Sequence, residues 1–145
     1  MDIAIGLFGG LAASLVASLV FAFDDSIPFP VSLALGRLLG DNVEHYYVGF
    51  LGTFAYGLLA GVAYVYTFSV LLVVGVPSLL VNIVCVAAWT LLLTGLFVAL
   101  IGERRPPEYS RYLVASHLLY GIVLAGFVAL GPTDPTATVG PVGGY

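Results

Sequence analysis

The chain has no lysine. Its 145 residues carry four basic side chains, all arginine (Arg37, Arg104, Arg105 and Arg111), and charged residues make up only 8% of the total. A soluble domain is usually about 25% charged. So little charge leaves too few polar side chains to cover a water-soluble globule. The missing basic patches exclude nucleic acid as a partner, and no polybasic segment is present to attract anionic lipid. Cysteine is nearly absent too. Cys85 stands alone, which rules out an intrachain disulfide and a Cys-x-x-Cys metal site; a small buried apolar role fits it. There is no HExxH, no glycine-rich phosphate loop, and no nucleophile with a base and an orienting group. On these absences the chain reads as a non-enzyme with no cofactor.

What the chain does have is apolar length. Hydrophobic residues account for 61% of it and the net charge is −4. Mean hydropathy is +1.11. A helical span needs roughly 20 apolar residues, so four spans fill the chain and leave no room for a separate soluble domain. The expected fold is all-α: a polytopic membrane protein with four transmembrane helices and a short interfacial or re-entrant helix between the first two. Residues 1–131 form the membrane domain. The Pro/Gly/Thr-rich tail, 132–145, reads as disordered.

The first span covers about Ile3 to Phe23. Asp2 precedes it where a signal peptide would be positive, and the run is longer than a typical signal core, so it reads as a retained helix. In "IPFPVSLALGRLLGDN", Pro28 and Pro30 interrupt the chain or start a helix. Val31 to Leu39 is too short to cross lipid, Gly40 caps its end, and Arg37 lies near that end, where a cation suits the helix dipole. Whether this piece lies on the bilayer or dips into it is left open. The second span starts near Tyr46 and ends before "GVPS". Ser78 is the expected N-cap of the third, which runs to about Ile101. The fourth covers about Arg111 to Leu130. The connections between spans one and two and between three and four hold all four arginines. The positive-inside rule puts both in the cytoplasm and both termini outside the plasma membrane.

Small residues recur every four positions: Gly6, Gly10, Ser14 and Ser18 in the first span, Gly49, Thr53, Gly57 and Gly61 in the second, His117, Gly121, Ala125 and Ala129 in the fourth. Such ridges let helix backbones approach in lipid. The fourth ridge contains "SHLLYGIVLAG", and the second contains "GTFAYGLLAG". Tyr56 and Gly57 match Tyr120 and Gly121, with Thr53 at the place of His117. The match points to a weak duplication of a two-helix hairpin in one orientation, and it turns His117 toward the bundle.

No Asp, Glu or Arg lies well inside a span, which counts against transport through a membrane carboxylate. The polar candidates are His117, Asn82, Thr53, Thr90, Thr94 and several tyrosines. His117 and His45, with a nearby carboxylate, are weighed as a metal site or as paired haem ligands. A packing histidine bonded to a neighbouring backbone, to Thr53 or to Tyr56 is the leading alternative. Tyr46, Tyr47, Tyr64, Tyr66, Tyr109 and Tyr112 read as interfacial anchors.

"HLLYG" in the last span and "LALGRLLG" after the first resemble an uncharacterised family of small four-helix haloarchaeal integral membrane proteins with a His-x-x-Tyr-Gly step in the last helix. The resemblance covers most of the chain apart from the tail. It implies the four-span fold and a high-salt setting, in keeping with acidic loops and no lysine, and it supplies no reaction. The expected function is a structural or accessory membrane component packed through its small-residue ridges, with the lipid bilayer as partner and a homo-oligomer or membrane-complex subunits beyond it. A small transporter or channel subunit is the first alternative, and a metal- or haem-binding protein using His117 and His45 the second.

Overall fold

The computed structural model describes residues 3–23, 27–40, 46–73, 75, 77–102 and 108–130. Among them the secondary structure is entirely helical. The helices are α1 (Ile3–Ala22), α2 (Pro30–Leu39), α3 (Tyr46–Val73), α4 (Ser78–Ile101) and α5 (Tyr109–Leu130). All but α2 are long and apolar enough to cross a membrane. Their outward faces carry exposed Phe8, Leu15, Leu59, Val70, Leu91 and Leu130, as expected where lipid is the solvent. The chain is therefore a multi-pass membrane protein. Two boundaries differ from the sequence reading. Pro77, extended at ψ 132°, is the cap of α4, and Ser78 is its first helical residue. Helix α5 starts at Tyr109, two residues before Arg111.

α1 lies between α3 and α5, α4 packs on the other side of α5, and α3 meets α4 only lightly. The central place of α1 follows from its two smooth faces. A Cβ added at Gly6 would come within 2.9 Å of the Gly61 carbonyl oxygen and the Val62 Cα, and one at Gly10 would collide with the Gly57 carbonyl. Here α1 and α3 meet backbone to backbone. On its other face, a Cβ at Gly9 would lie 2.9 Å from Leu124 Cδ1 and 3.1 Å from Phe127 Cβ of α5. Helix α5 presents Gly121 to the bulkier α4, where Val86 Cγ1 would be 3.1 Å from an added Cβ, while Ala129 at the end of its ridge is exposed.

α2 is a wedge under α3 and α4. Pro30, Ser32, Ala34 and Gly36 are all buried, whereas Arg37 to Gly40 are exposed. A helix buried or half-buried along its first two turns and open at its end runs outward from inside the bundle. Gly40 ends it in the left-handed region at φ 72°, as its missing Cβ allows. Arg37 lies in the last turn of α2, and its guanidinium also reaches α4. There Nη1 donates to the carbonyls of Ala99 at 2.5 Å and Leu100 at 2.8 Å. These carbonyls belong to the last turn of α4, where the helix leaves them without amide partners. One cation thus serves two helix C-termini.

Two cores result. One joins Ala13, Tyr64, Phe68, Cys85, Tyr120 and Leu124 through the middle of the bundle. The other gathers Phe21, Phe29, Phe97, Ile101, Tyr109 and Leu113 around α2. Tyr56 packs against both. Two tyrosines read as interfacial anchors are core residues instead. Tyr109 is 1% exposed and donates to the Pro28 carbonyl at 2.7 Å, pinning the turn before α2. Tyr64 is also 1% exposed; it donates to Asn82 Oδ1 at 3.4 Å and packs on Trp89. Each has a polar partner inside, which removes the reason for its hydroxyl to seek the interface. Tyr47 and Tyr66 are exposed.

Candidate functional site: a pocket around His117

His117 lies two turns into α5 and is buried. The Tyr56 hydroxyl is 3.4 Å from its Nε2 and Thr94 Oγ1 is 3.2 Å from its Nδ1. Thr90, one turn from Thr94 on α4, donates to the His117 carbonyl at 3.5 Å. The ring lies 5.6 Å from that of Phe97 at 30°, and Phe97 meets Tyr56 edge-on at 5.1 Å. α3 and α4 thus hold the histidine from both sides.

Each ring nitrogen faces a hydroxyl, so in either tautomer one nitrogen can donate and the other accept.

The two Tyr-Gly steps face each other across this site. α3 and α5 run in the same direction, with Tyr56 and Tyr120 at similar depth. Tyr120 donates to the Gly57 carbonyl at 2.6 Å, and Tyr56 reaches His117. The two glycines serve other neighbours: Gly57 meets Ser14 of α1, and Gly121 meets Val86 of α4. Phenol arms span the gap between α3 and α5, while glycines seat each helix on its other partner. Thr53, which stands where the fourth span has His117, lines the same pocket.

That pocket has a volume of about 30 Å³ and lies between α1, α2, α3 and α5, with Phe97 of α4 at one side. Pro30 and Val31 of α2 form part of its wall, together with Ser18, Thr53, Ser116 and His117. The sequence reading did not place Ser14, Ser18, Ser116 or the start of α2 here. Serines one turn apart on an apolar helix signal a packing ridge and equally a polar wall, and only the fold distinguishes the two.

His45 lies outside the described residues, as do Asp41, Glu44, Glu103, Arg104 and Arg105. Among the described residues no group of three His, Cys, Asp or Glu side chains gathers as metal ligands. Of the residues weighed as a metal or haem site, His117 and Glu108 are placed: Glu108 is exposed and paired with Arg111, and the His117 ring has hydroxyls and aromatic rings beside it. The pocket wall has no carboxylate and no thiol; its polar side chains are hydroxyls and the His117 imidazole. The chain matches no protein-family model, no curated protein and no solved structure.

Proposed function

We propose that this chain is a non-enzymatic structural or accessory component of a larger membrane assembly, built for a high-salt cell. One observation carries the reading. His117 is the side chain within the spans best suited to chemistry, and Tyr56 and Thr94 stand at its two ring nitrogens. A histidine tied between three helices stabilises a bundle and is a poor base. The small-residue contacts of α1 with α3 are the second support, since GxxxG-type approach favours a rigid, closely packed unit.

Assembly would use the outward face of α4, the least buried of the four spans. There Ala87, Leu91, Gly95 and Ala99 recur every four residues, and an added Cβ at Gly95 meets nothing within 4 Å. The test is the native mass of the protein released gently from its own membrane. The expected result is a mass above that of one chain, reduced toward the single chain by Gly95→Leu. A monomeric mass in the wild type, with no other protein attached, would refute the reading.

A second reading, a small channel or transporter subunit, is favoured by a pocket between the spans lined by His117, Thr53 and Ser116. Solute flux in liposomes that His117→Ala abolishes would move the assignment there.

A further inference from the structure

We infer that the groove between α3 and α4 is where a second copy of this chain docks, with Trp89 of each copy donating to Thr67 of the other. The inference rests on the assembly reading above and names its partner and its contact. The groove has a volume of about 220 Å³ and is lined by Thr67 of α3 and by Ala88, Trp89 and Leu92 of α4. It exists because these two helices meet only lightly. Thr67, Ala88 and Leu92 are exposed, and Trp89 is half-buried, its ring packed on Tyr64.

The argument starts from the indole N–H, which can only donate. Among the described residues it has no hydrogen-bond partner, and the one buried polar side-chain atom left unbonded there is Ser32 Oγ. The indole N–H is therefore an unbonded donor at the membrane-facing surface. Trp89 lies halfway along Ser78–Ile101, about 17 Å from either end at 1.5 Å per residue. The hydrocarbon core is about 30 Å thick, so neither water nor lipid headgroups sit at that depth. Tryptophan usually lies at the interface, where its N–H finds both. An acyl chain can fill the groove but brings no acceptor, and an unbonded donor in hydrocarbon is costly. The occupant has to supply an acceptor near the middle of the bilayer.

A second copy supplies it. Two copies inserted in the same direction are related by a two-fold axis along the membrane normal, and such an axis preserves depth. A donor and an acceptor that meet across it must lie at one level of the bundle. Trp89 and Thr67 do, since both line one groove. Thr67 gives its proton to the Ala63 carbonyl at 2.9 Å and keeps its lone pairs. The match is reciprocal, as a two-fold interface requires: each copy offers one donor and one acceptor, so no indole is left over. Gly95, seven residues beyond Ala88 on the same side of α4, extends the contact along the helix with open space above it.

Trp89 is the sole tryptophan of the chain, so NMR of the full chain in lipid bilayers, labelled at the indole nitrogen, reads this one N–H. The expected result is a hydrogen-bonded indole in samples whose native mass is that of two chains, moving to the unbonded position on dilution with lipid to single chains. Thr67→Val keeps the shape of an exposed side chain. It should free the indole and weaken dimerisation about tenfold, the effect of losing two interhelical hydrogen bonds in lipid. An unbonded indole in the folded wild-type dimer would overturn the proposal, independently of any variant. So would a bonded indole that persists in single chains. A larger assembly with a different protein, unchanged by Thr67→Val, would overturn it while leaving the assembly reading standing. A wild-type chain that is single in its own membrane would remove both.

Discussion

Ser32 and Tyr120 show how the sign of a buried hydroxyl's contribution depends on its partner. Tyr120 is 4% exposed and bonds the Gly57 carbonyl, linking α5 to α3. Tyr120→Phe keeps the ring and removes the bond. The expected loss is about 0.5–1 kcal/mol, the range for interhelical bonds in lipid. The Gly57 carbonyl retains its own helix partner, which keeps the cost modest. Ser32 is 2% exposed and its Oγ has no partner. Ser32→Ala removes an unsatisfied buried group and is expected to leave stability unchanged or raise it by up to about 1 kcal/mol. Reversible denaturant unfolding in one detergent measures both variants, and a loss at Ser32 equal to that at Tyr120 would refute the contrast.

At the scale of the element, the same residue type has opposite consequences on different helices. Gly57 of α3 lies under Ser14, so that an added Cβ would overlap Ser14 Oγ and come within 2.8 Å of its Cβ. Ser14 cannot easily yield, because it is held to the Gly10 carbonyl at 2.8 Å. Gly57→Ala must therefore separate α1 from α3, at a cost of about 1–3 kcal/mol, as for other overpacked cores. Gly95→Ala on α4 meets nothing, and its effect on the bundle should stay within about 0.5 kcal/mol. Thermal unfolding of the two variants side by side tests this, and equal shifts would contradict the packing described. α2 shows the other element-level effect. It is too short to span and too buried to float, and Arg37 holds its outer end to the last turn of α4.

Across the whole molecule, α1 is the central element and α4 the peripheral one, and the direction of insertion orients both. The positive-inside rule predicts that Arg37 and Arg111 lie at the cytoplasmic end and the termini outside. Single cysteines test this. Ala137→Cys in the tail should label in intact cells, and Leu38→Cys, at an exposed position on α2, only after lysis. Cys85 is buried and contributes no background. The opposite labelling pattern would invert the orientation.

Four spans, a short fifth helix and its place in the chain could all be read from the sequence. Their signals are long apolar runs and the prolines at 28, 30 and 77, and such signals are local. The small residues at Gly6, Gly10, Gly57 and Gly61 were visible as ridges, and so was the inward direction of His117. The sequence could not say which ridge meets which, because spacing of four marks a face without naming its partner. It could not separate Tyr109 and Tyr64 from Tyr47 and Tyr66, since an anchor and a core tyrosine differ only in what lies opposite. It also gave no sign that Arg37 closes a helix more than sixty residues away, or that the start of α2 and the serines of α1 and α5 enclose one pocket. Apolar length alone determined that this chain is a membrane bundle. The tertiary structure decided where its few polar groups meet, because in lipid each of them must find a partner on another helix or its own backbone.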